Sequence, residues 1–155
     1  MMDYGTIRDF KFSKRPISIS AEYRPLFKVA QIVLVLKHAS IKEQASILKL
    51  HLFSWAMRSQ RSMRRLTLFI ESDREQTKPK VWTLAPSVNR AVDFALSEQL
   101  VEKHHGLIRL TEKGRAFGRA IEADETLLEE ERAFLADIGK KVSEAEVQRL
   151  SKNWT

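Results

Sequence analysis

Four arginines that lie close together are the side chains with the clearest chemistry in this sequence: Arg58, Arg61, Arg64 and Arg65. Arg58, Arg61 and Arg65 follow one another at intervals of three and four residues, so a helical segment would place them on one face. A guanidinium group donates hydrogen bonds in a planar fork that matches phosphate and carboxylate oxygens. We therefore expect this cluster to contact DNA phosphates or an acidic protein surface. The alternative is an ordinary solvated helix face.

The charge of the whole chain is distributed unevenly. Residues 1–65 contain 13 Lys and Arg against 4 Asp and Glu, and residues 66–155 contain 14 against 16. A basic first half is typical of proteins that bind nucleic acid or an acidic protein surface. The acidic run Glu129–Glu131 is expected to be a solvated helix face, with a metal or partner site as the alternative.

The sequence lacks the residue motifs that catalysis or metal binding would need. The chain has no cysteine, which removes thiolate nucleophiles, disulfides and thiolate metal ligands. His38 and His51 fall on separate predicted helices and do not have a metal-ligand spacing. The five glycines form no phosphate-binding loop, and no nucleophile elbow is present. The sequence thus predicts a binding protein with no catalytic residues, metal or cofactor.

The spacing of apolar residues predicts helices that would position the arginines. The first runs from Leu26 to Leu36, and a capping box formed by Ser40 and Glu43 opens a second that ends at about Met57. A third is expected over residues 59–72, which contains three of the four arginines. Ser87 is expected to cap a fourth helix.

The second half of the chain contains a predicted β-hairpin. Residues 100–103 and 107–110 are expected to be strands, with a turn at residues 104–106 that places glycine where a positive φ is needed. Thr111 is expected to cap the next helix, and Gly114 to allow that helix to approach a neighbouring backbone. Residues 81–84 form a further β-prone run.

The end of the chain is expected to continue the helical pattern. Gly139 is expected to stop one helix at its C-terminus, and Ser143 with Glu146 to cap a last short helix.

The order helix, strand, tight turn, strand and Leu110–Gly114 resembles the wing of bacterial winged helix-turn-helix domains. The expected fold is mostly α with a small β wing: a winged helix-turn-helix with N-terminal and C-terminal helical extensions. We place an arm at residues 1–22, the winged-helix domain at 23–125 and the C-terminal helical extension at 126–155. Gln99 departs from the pattern, because many such domains have glycine there.

In a DNA-reading winged helix, the helix before the wing enters the major groove. Here that helix offers Asn89 and Arg90 but also Asp93 and Glu98, which match a phosphate-rich groove poorly. Candidate DNA- or partner-binding residues outside the arginine cluster are therefore Asn89, Arg90, Lys103, His105 and Arg109. Trp82, Phe134 and Trp154 are candidate anchors for a protein partner, with a place in the core as the alternative for each.

Beyond the wing, residues 23–150 resemble the middle component of bacterial three-component ABC systems, the Lamassu-like anti-phage group. The motifs that carry the resemblance are Tyr23–Pro25, Leu48–His51, Trp55–Ala56, Asn89–Ala95, Leu110–Gly114, Glu131–Leu135 and Ile138–Gly139.

The resemblance implies a small winged-helix subunit beside an SMC/Rad50-like ABC ATPase and an effector subunit, often a nuclease, with a possible contact to double-stranded DNA. A winged helix-turn-helix transcription regulator is the alternative. The longest apolar stretch, Val29–Leu36, is broken by Gln31 and too short to span a bilayer, so no membrane partner is expected. The absence of cysteine is compatible with a reducing compartment, and a cytoplasmic location is expected.

Overall fold

Helix α1, Pro25–His38, is the element against which four of the other helices pack. Every residue from Lys28 to Leu36 is buried in the computed structural model, which describes residues 25–72 and 85–152. The spacing of its apolar residues, at three and four positions, would by itself place them on a single stripe. The run Val33–Leu36 is instead buried on successive faces, because α1 is covered by several helices at once.

The chain continues through six more helices, three short strands and two 3-10 turns in the described residues. In order they are a 3-10 turn at Ile41–Glu43, β1 at Gln44–Ala45, α2 at Ile47–Ala56, α3 at Gln60–Ser72, α4 at Pro86–Ser97, β2 at Val101–His104, β3 at Leu107–Leu110, α5 at Glu112–Ala123, α6 at Glu129–Ile138, a 3-10 turn at Gly139–Lys141 and α7 at Glu144–Ser151.

The three strands form one antiparallel sheet in the order β1-β3-β2. Strands β2 and β3 make the predicted hairpin, in which Val101 lies opposite Leu110 and His104 opposite Leu107. The two loop residues, His105 and Gly106, have φ values of 51° and 80°. Two left-handed residues in a two-residue loop match the twist of the strands, which confirms the predicted role of the glycine. The mostly helical structure with a small β hairpin agrees with the coarse fold expectation.

The predicted start of α5 is also confirmed. Thr111 accepts a hydrogen bond from the Gly114 amide at 3.0 Å, as a helix N-cap does. A Cβ atom on Gly114 would lie 2.0 Å from the Leu100 carbonyl oxygen, so the helix does pass very close to the preceding backbone. Gln99 has a φ of 62°, and its carbonyl accepts from the Thr111 hydroxyl at 2.6 Å. The left-handed turn is therefore made here without glycine.

The predicted capping box at Ser40 is wrong. Ser40 donates to the Val35 carbonyl at 3.0 Å and makes no side-chain cap. Residues 41–43 form a 3-10 turn, and β1 must be extended because it pairs with β3. Helix α2 consequently begins only after Ser46, whose side chain accepts from the Lys49 amide.

Two further boundaries differ from the prediction. Ser87 does not cap α4, because Pro86 already occupies the first helical position, where its missing N–H costs no hydrogen bond, and Ala85 is the N-cap. Gly139 is not a left-handed stop, since its φ is −50°. Its role is close packing, because a Cβ there would lie 2.9 Å from the Ala39 Cβ.

The C-terminal helices α6 and α7 complete the same hydrophobic core. Leu135, Ile138, Val147 and Leu150 are almost wholly buried within the single cluster that contains α1. The predicted Ser143 cap is confirmed, since its side chain accepts from the Glu146 amide. One residue later, the Glu144 carboxylate accepts from the Ser46 amide at 3.0 Å. The start of α7 therefore satisfies a backbone donor at the start of α2.

Among the described residues, no helix has the length and apolar character needed to cross a membrane. The arm at residues 1–22, the β-prone run at 81–84, Trp82 and Trp154 lie outside the described residues.

Candidate macromolecular interface

The arginine cluster is divided by the structure. Arg58 lies in the turn between α2 and α3, whereas Arg61, Arg64 and Arg65 lie on α3. Arg61 and Arg64 are exposed, but Arg65 is half-buried and its Nε atom is inaccessible to solvent. The four side chains therefore do not form the single stripe that their spacing allowed, because the helix begins after Arg58.

The exposed face of α3 combines positive charge with an apolar side chain. Arg61, Arg64 and Leu68 follow one another at intervals of three and four residues, so they lie on one side of the helix. Leu68 is 45% exposed and, with Ile41, is one of two large apolar side chains exposed among the described residues. We call these three residues the α3 face. Two arginines followed by an apolar residue one turn further along the helix suit a protein surface with acidic and apolar groups better than a phosphate backbone.

Arg58 belongs to a different feature, a cleft between α1, the α2–α3 turn and the start of α6. The cleft has a volume of about 240 Å³, and Arg58, Gln60, Glu130 and Glu131 are among its lining residues. The Gln60 amide donates to the Glu130 carboxylate at 2.8 Å. The acidic run was expected to face solvent, but here part of it meets the basic segment of the chain.

One ion pair joins a base of the first half of the chain to an acid of the second half, since Lys37 donates to Glu122 at 2.5 Å. The pair of Arg115 with Glu43, at 3.0 Å, has the opposite sense, because it joins a base of the second half to an acid of the first. Taken together, these two pairs leave the charge asymmetry of the sequence unchanged.

Helix α4 presents Asn89 and Arg90 to solvent, as the sequence predicted. Asn89 also reaches inward, because its Oδ1 lies 3.3 Å from Nε2 of the buried His51 on α2. Burial lowers the pKa of His51, although the Asn89 hydrogen bond acts in the opposite direction. Sequence reasoning missed this pair, since no local pattern shows that positions 51 and 89 meet.

The hairpin carries the remaining candidates. Lys103 and His105 are exposed, and His105 stacks on His104 with ring centroids 4.0 Å apart. Arg109 lies directly opposite Glu102 in the sheet and donates to its carboxylate through Nε at 2.9 Å and Nη2 at 2.6 Å. The guanidinium group of Arg109 is therefore already engaged by an acid of the same hairpin.

Eight of the nine predicted binding residues fall on two surfaces, and the ninth, Arg58, lines the cleft. Helix α3 packs against α2 and α6, whereas α4 packs against α1, α2 and β2. The second surface, α4 with the hairpin, covers residues 86–110 and contains three Lys and Arg and three Asp and Glu. A protein surface that binds DNA normally carries an excess of lysine and arginine, because it faces phosphates. The equal numbers of basic and acidic residues here therefore disfavour DNA as the ligand of this surface.

The candidate partner anchor Phe134 is only 8% exposed and lies in the core. Its ring centroid is 6.1 Å from that of Phe53 in a tilted arrangement. This position favours the core role for Phe134 over an anchor role. In the described parts of the chain, no three metal-ligating side chains come together as a metal site.

The buried His51 makes stability depend on pH. Below its ordinary pKa of 6.5, the unfolded chain binds a proton that the folded protein accepts less readily. The free energy of unfolding should therefore fall as pH drops through 6.5 towards the lower folded-state pKa of His51. Urea denaturation at pH 7.5 and 5.0 measures the fall, and His51→Gln, which keeps a neutral donor, should reduce it. His105→Gln on the exposed turn is the control, and equal falls in wild type and H51Q would contradict the prediction.

No known protein family, no curated protein and no solved structure matches this chain.

Proposed function

We propose that this protein is a non-catalytic winged-helix subunit that docks on an SMC/Rad50-like ABC ATPase in an anti-phage defence complex. In this role it bridges or regulates the ATPase and a nuclease-type effector. The resemblance of residues 23–150 to the middle component of three-component ABC systems supplies the identity of the partners.

The observation that carries the proposal is the charge balance of the helix–hairpin surface. A winged helix that reads DNA uses the helix before the wing, here α4, together with basic residues of the wing. On this chain Arg90 is accompanied by Asp93, and the wing arginine Arg109 is paired with Glu102. The helix–hairpin unit is thus present with a nearly neutral surface, which suits a protein partner.

The α3 face is the second surface available for docking. Its two exposed arginines and Leu68 would meet an acidic patch with an apolar centre on the ATPase or the effector. Interfaces of this kind place apolar anchors at the centre and charged groups at the rim.

The proposal is tested by affinity purification of the tagged protein from its native host. We expect a large ATPase with a coiled coil to co-purify. Arg61→Glu with Arg64→Glu should weaken this association by about tenfold or more, because reversed charges face an acidic partner. Lys140→Glu with Lys141→Glu makes the same change of charge at another exposed site and should leave the association intact.

Two results would contradict the proposal. One is a protein that purifies alone as a homodimer and protects a short palindromic DNA site at physiological salt, as the alternative, a transcription regulator, would do. The other is an equal loss of ATPase association in the Arg61/Arg64 and the Lys140/Lys141 double variants. That result would exclude the α3 face as a docking surface.

A further inference from the structure

The hairpin of residues 101–110 has a charge pattern that follows from its strand register. Its charged residues are Glu102, Lys103 and Arg109, so Glu102 is the only acid. Neighbouring residues of a strand point to opposite faces of the sheet, which separates Glu102 from Lys103. Residues directly opposite each other share a face, and the residue opposite Glu102 is Arg109. The register therefore directs the one acid of the hairpin to Arg109 and leaves Lys103 on the other face.

Arg109 lies at the centre of the outer face of the sheet. It belongs to β3, the middle strand, and is flanked by Gln44 of β1 and Glu102 of β2. The other face of β3 is turned to the core, since Ile108 and Leu110 are buried. The side chains of Arg109 and Glu102 remain 36% and 47% exposed in their pair. A macromolecule that reached the outer face would therefore meet both charges together.

The pair offsets the charge that Arg109 would offer to DNA. Arg109 donates through Nε and Nη2 to one oxygen of Glu102, Oε2, at 2.9 and 2.6 Å. A phosphate that approached the guanidinium group would also approach the carboxylate, so attraction and repulsion would largely cancel. An exposed ion pair of this kind contributes little to the stability of a protein. Stability alone is thus a weak reason for an acid at this position.

His104 is the other titratable side chain of this strand face, because it lies two residues beyond Glu102 on β2. The pKa of His104 is lowered by desolvation and by the neighbouring charges of Arg109 and His105, while Glu102 acts in the opposite direction. His104 is therefore neutral above pH 7. Arg109 is then the one cation that this face of the hairpin can offer to a phosphate.

We propose that Glu102 is a specificity residue, which keeps the helix–hairpin surface from binding DNA and so reserves it for a protein partner. The proposal rests on the proposed function, because it concerns the same surface. It adds that the hairpin retains a capacity to bind the DNA backbone, which a single carboxylate suppresses. Without that carboxylate the charged residues of the hairpin would be Lys103 and Arg109 alone, a composition typical of surfaces that contact phosphates.

Fluorescence anisotropy of a labelled DNA duplex of arbitrary sequence, titrated with the full-length protein at pH 7.5, tests the proposal. Glu102→Gln keeps the size of the exposed side chain and removes its charge. A freed arginine that neutralises one phosphate makes the log–log salt dependence of binding steeper by about 0.9. We therefore expect Glu102→Gln to bind the duplex about tenfold more tightly than wild type at about 50 mM salt, and about threefold more tightly at about 200 mM.

Two further variants identify the group that is responsible. Glu102→Gln combined with Arg109→Gln removes both members of the pair and should return the affinity to that of wild type. Glu146→Gln is the matched control, because Glu146 accepts from Arg149 at 2.5 Å in an exposed ion pair on α7. It makes the same change of net charge on a helix that packs against α2, and it should leave the DNA affinity nearly unchanged.

Three results would each overturn the proposal: equal affinities of wild type and Glu102→Gln, an equal gain in Glu146→Gln, or a gain that survives in the double variant. The proposed function fails differently. Wild-type protein that already bound the duplex tightly at physiological salt would show that the surface serves DNA. Weak binding by every variant overturns only the role of Glu102, since the ATPase association is measured in a separate purification.

Discussion

Replacing Gly114 with alanine is expected to lower the free energy of unfolding by about 3 kcal/mol or more, at the upper end of what overpacking a core costs. The added Cβ would lie 2.0 Å from the Leu100 carbonyl oxygen and 2.8 Å from a methyl group of Leu110. The first of these atoms belongs to the backbone between α4 and β2, where the Leu100 oxygen accepts a hydrogen bond from the Thr111 amide at 3.1 Å. The helix therefore cannot admit a methyl group without separating from the hairpin.

Urea denaturation monitored by circular dichroism measures this effect, and Gly118→Ala is a matched control in the same helix. At Gly118 the new Cβ would lie 3.2 Å from a Val33 methyl group, with side chains and no backbone nearby. Alanine also favours a helix over glycine by about 1 kcal/mol, which offsets the tighter contact. If the G114A and G118A proteins have the same free energy of unfolding, α5 and the hairpin are less closely packed than the structure shows.

Truncation of Phe134 to alanine is expected to cost about 3–5 kcal/mol, the usual range for a buried phenylalanine. The ring of Phe134 packs on that of Phe53, and the backbone between α6 and α7 is fixed by the close approach of Gly139 to Ala39. The surrounding structure can therefore collapse only partly into the space left behind. This result would show that α6 is part of the core and not a removable extension.

Equilibrium denaturation of F134A distinguishes the two roles that the sequence left open for this residue. A core residue lowers stability when truncated, whereas a partner anchor lowers association and leaves stability nearly unchanged. Leu68→Ala is the comparison, because Leu68 is 45% exposed. Loss of stability in L68A similar to that in F134A, or no loss in F134A, would argue against the core role of Phe134.

Local chemistry explains which parts of the fold the sequence predicted well. The hairpin and the start of α5 depend on residues within a few positions of one another: the His105–Gly106 turn, the Thr111 cap and the close approach at Gly114. The beginning of α2 depends instead on β1, whose partner β3 is more than 60 residues away. A pairing at that distance overrode a local capping pattern, and nothing near Ser40 could have indicated it.

The candidate site shows the same division. Exposure of Arg61 and Arg64 follows from helical periodicity and was predictable. The division of the arginine cluster was not, because the break before α3 separates Arg58 from the helix. The meeting of Gln31 with Glu131 joins positions 100 residues apart, and only the packing of α6 on α1 brings them together.

The all-round burial of α1 has a consequence for the protein as it is being made. The helix leaves the ribosome before its partners, and the elements that pack against it continue to the 3-10 turn at Gly139–Lys141. Ribosomes add about 5–20 residues per second, so the full cover of the apolar run Val33–Leu36 is complete only after roughly 5–20 s of further elongation. Until then part of this run stays exposed on the nascent chain, and a partly covered apolar helix is prone to aggregate.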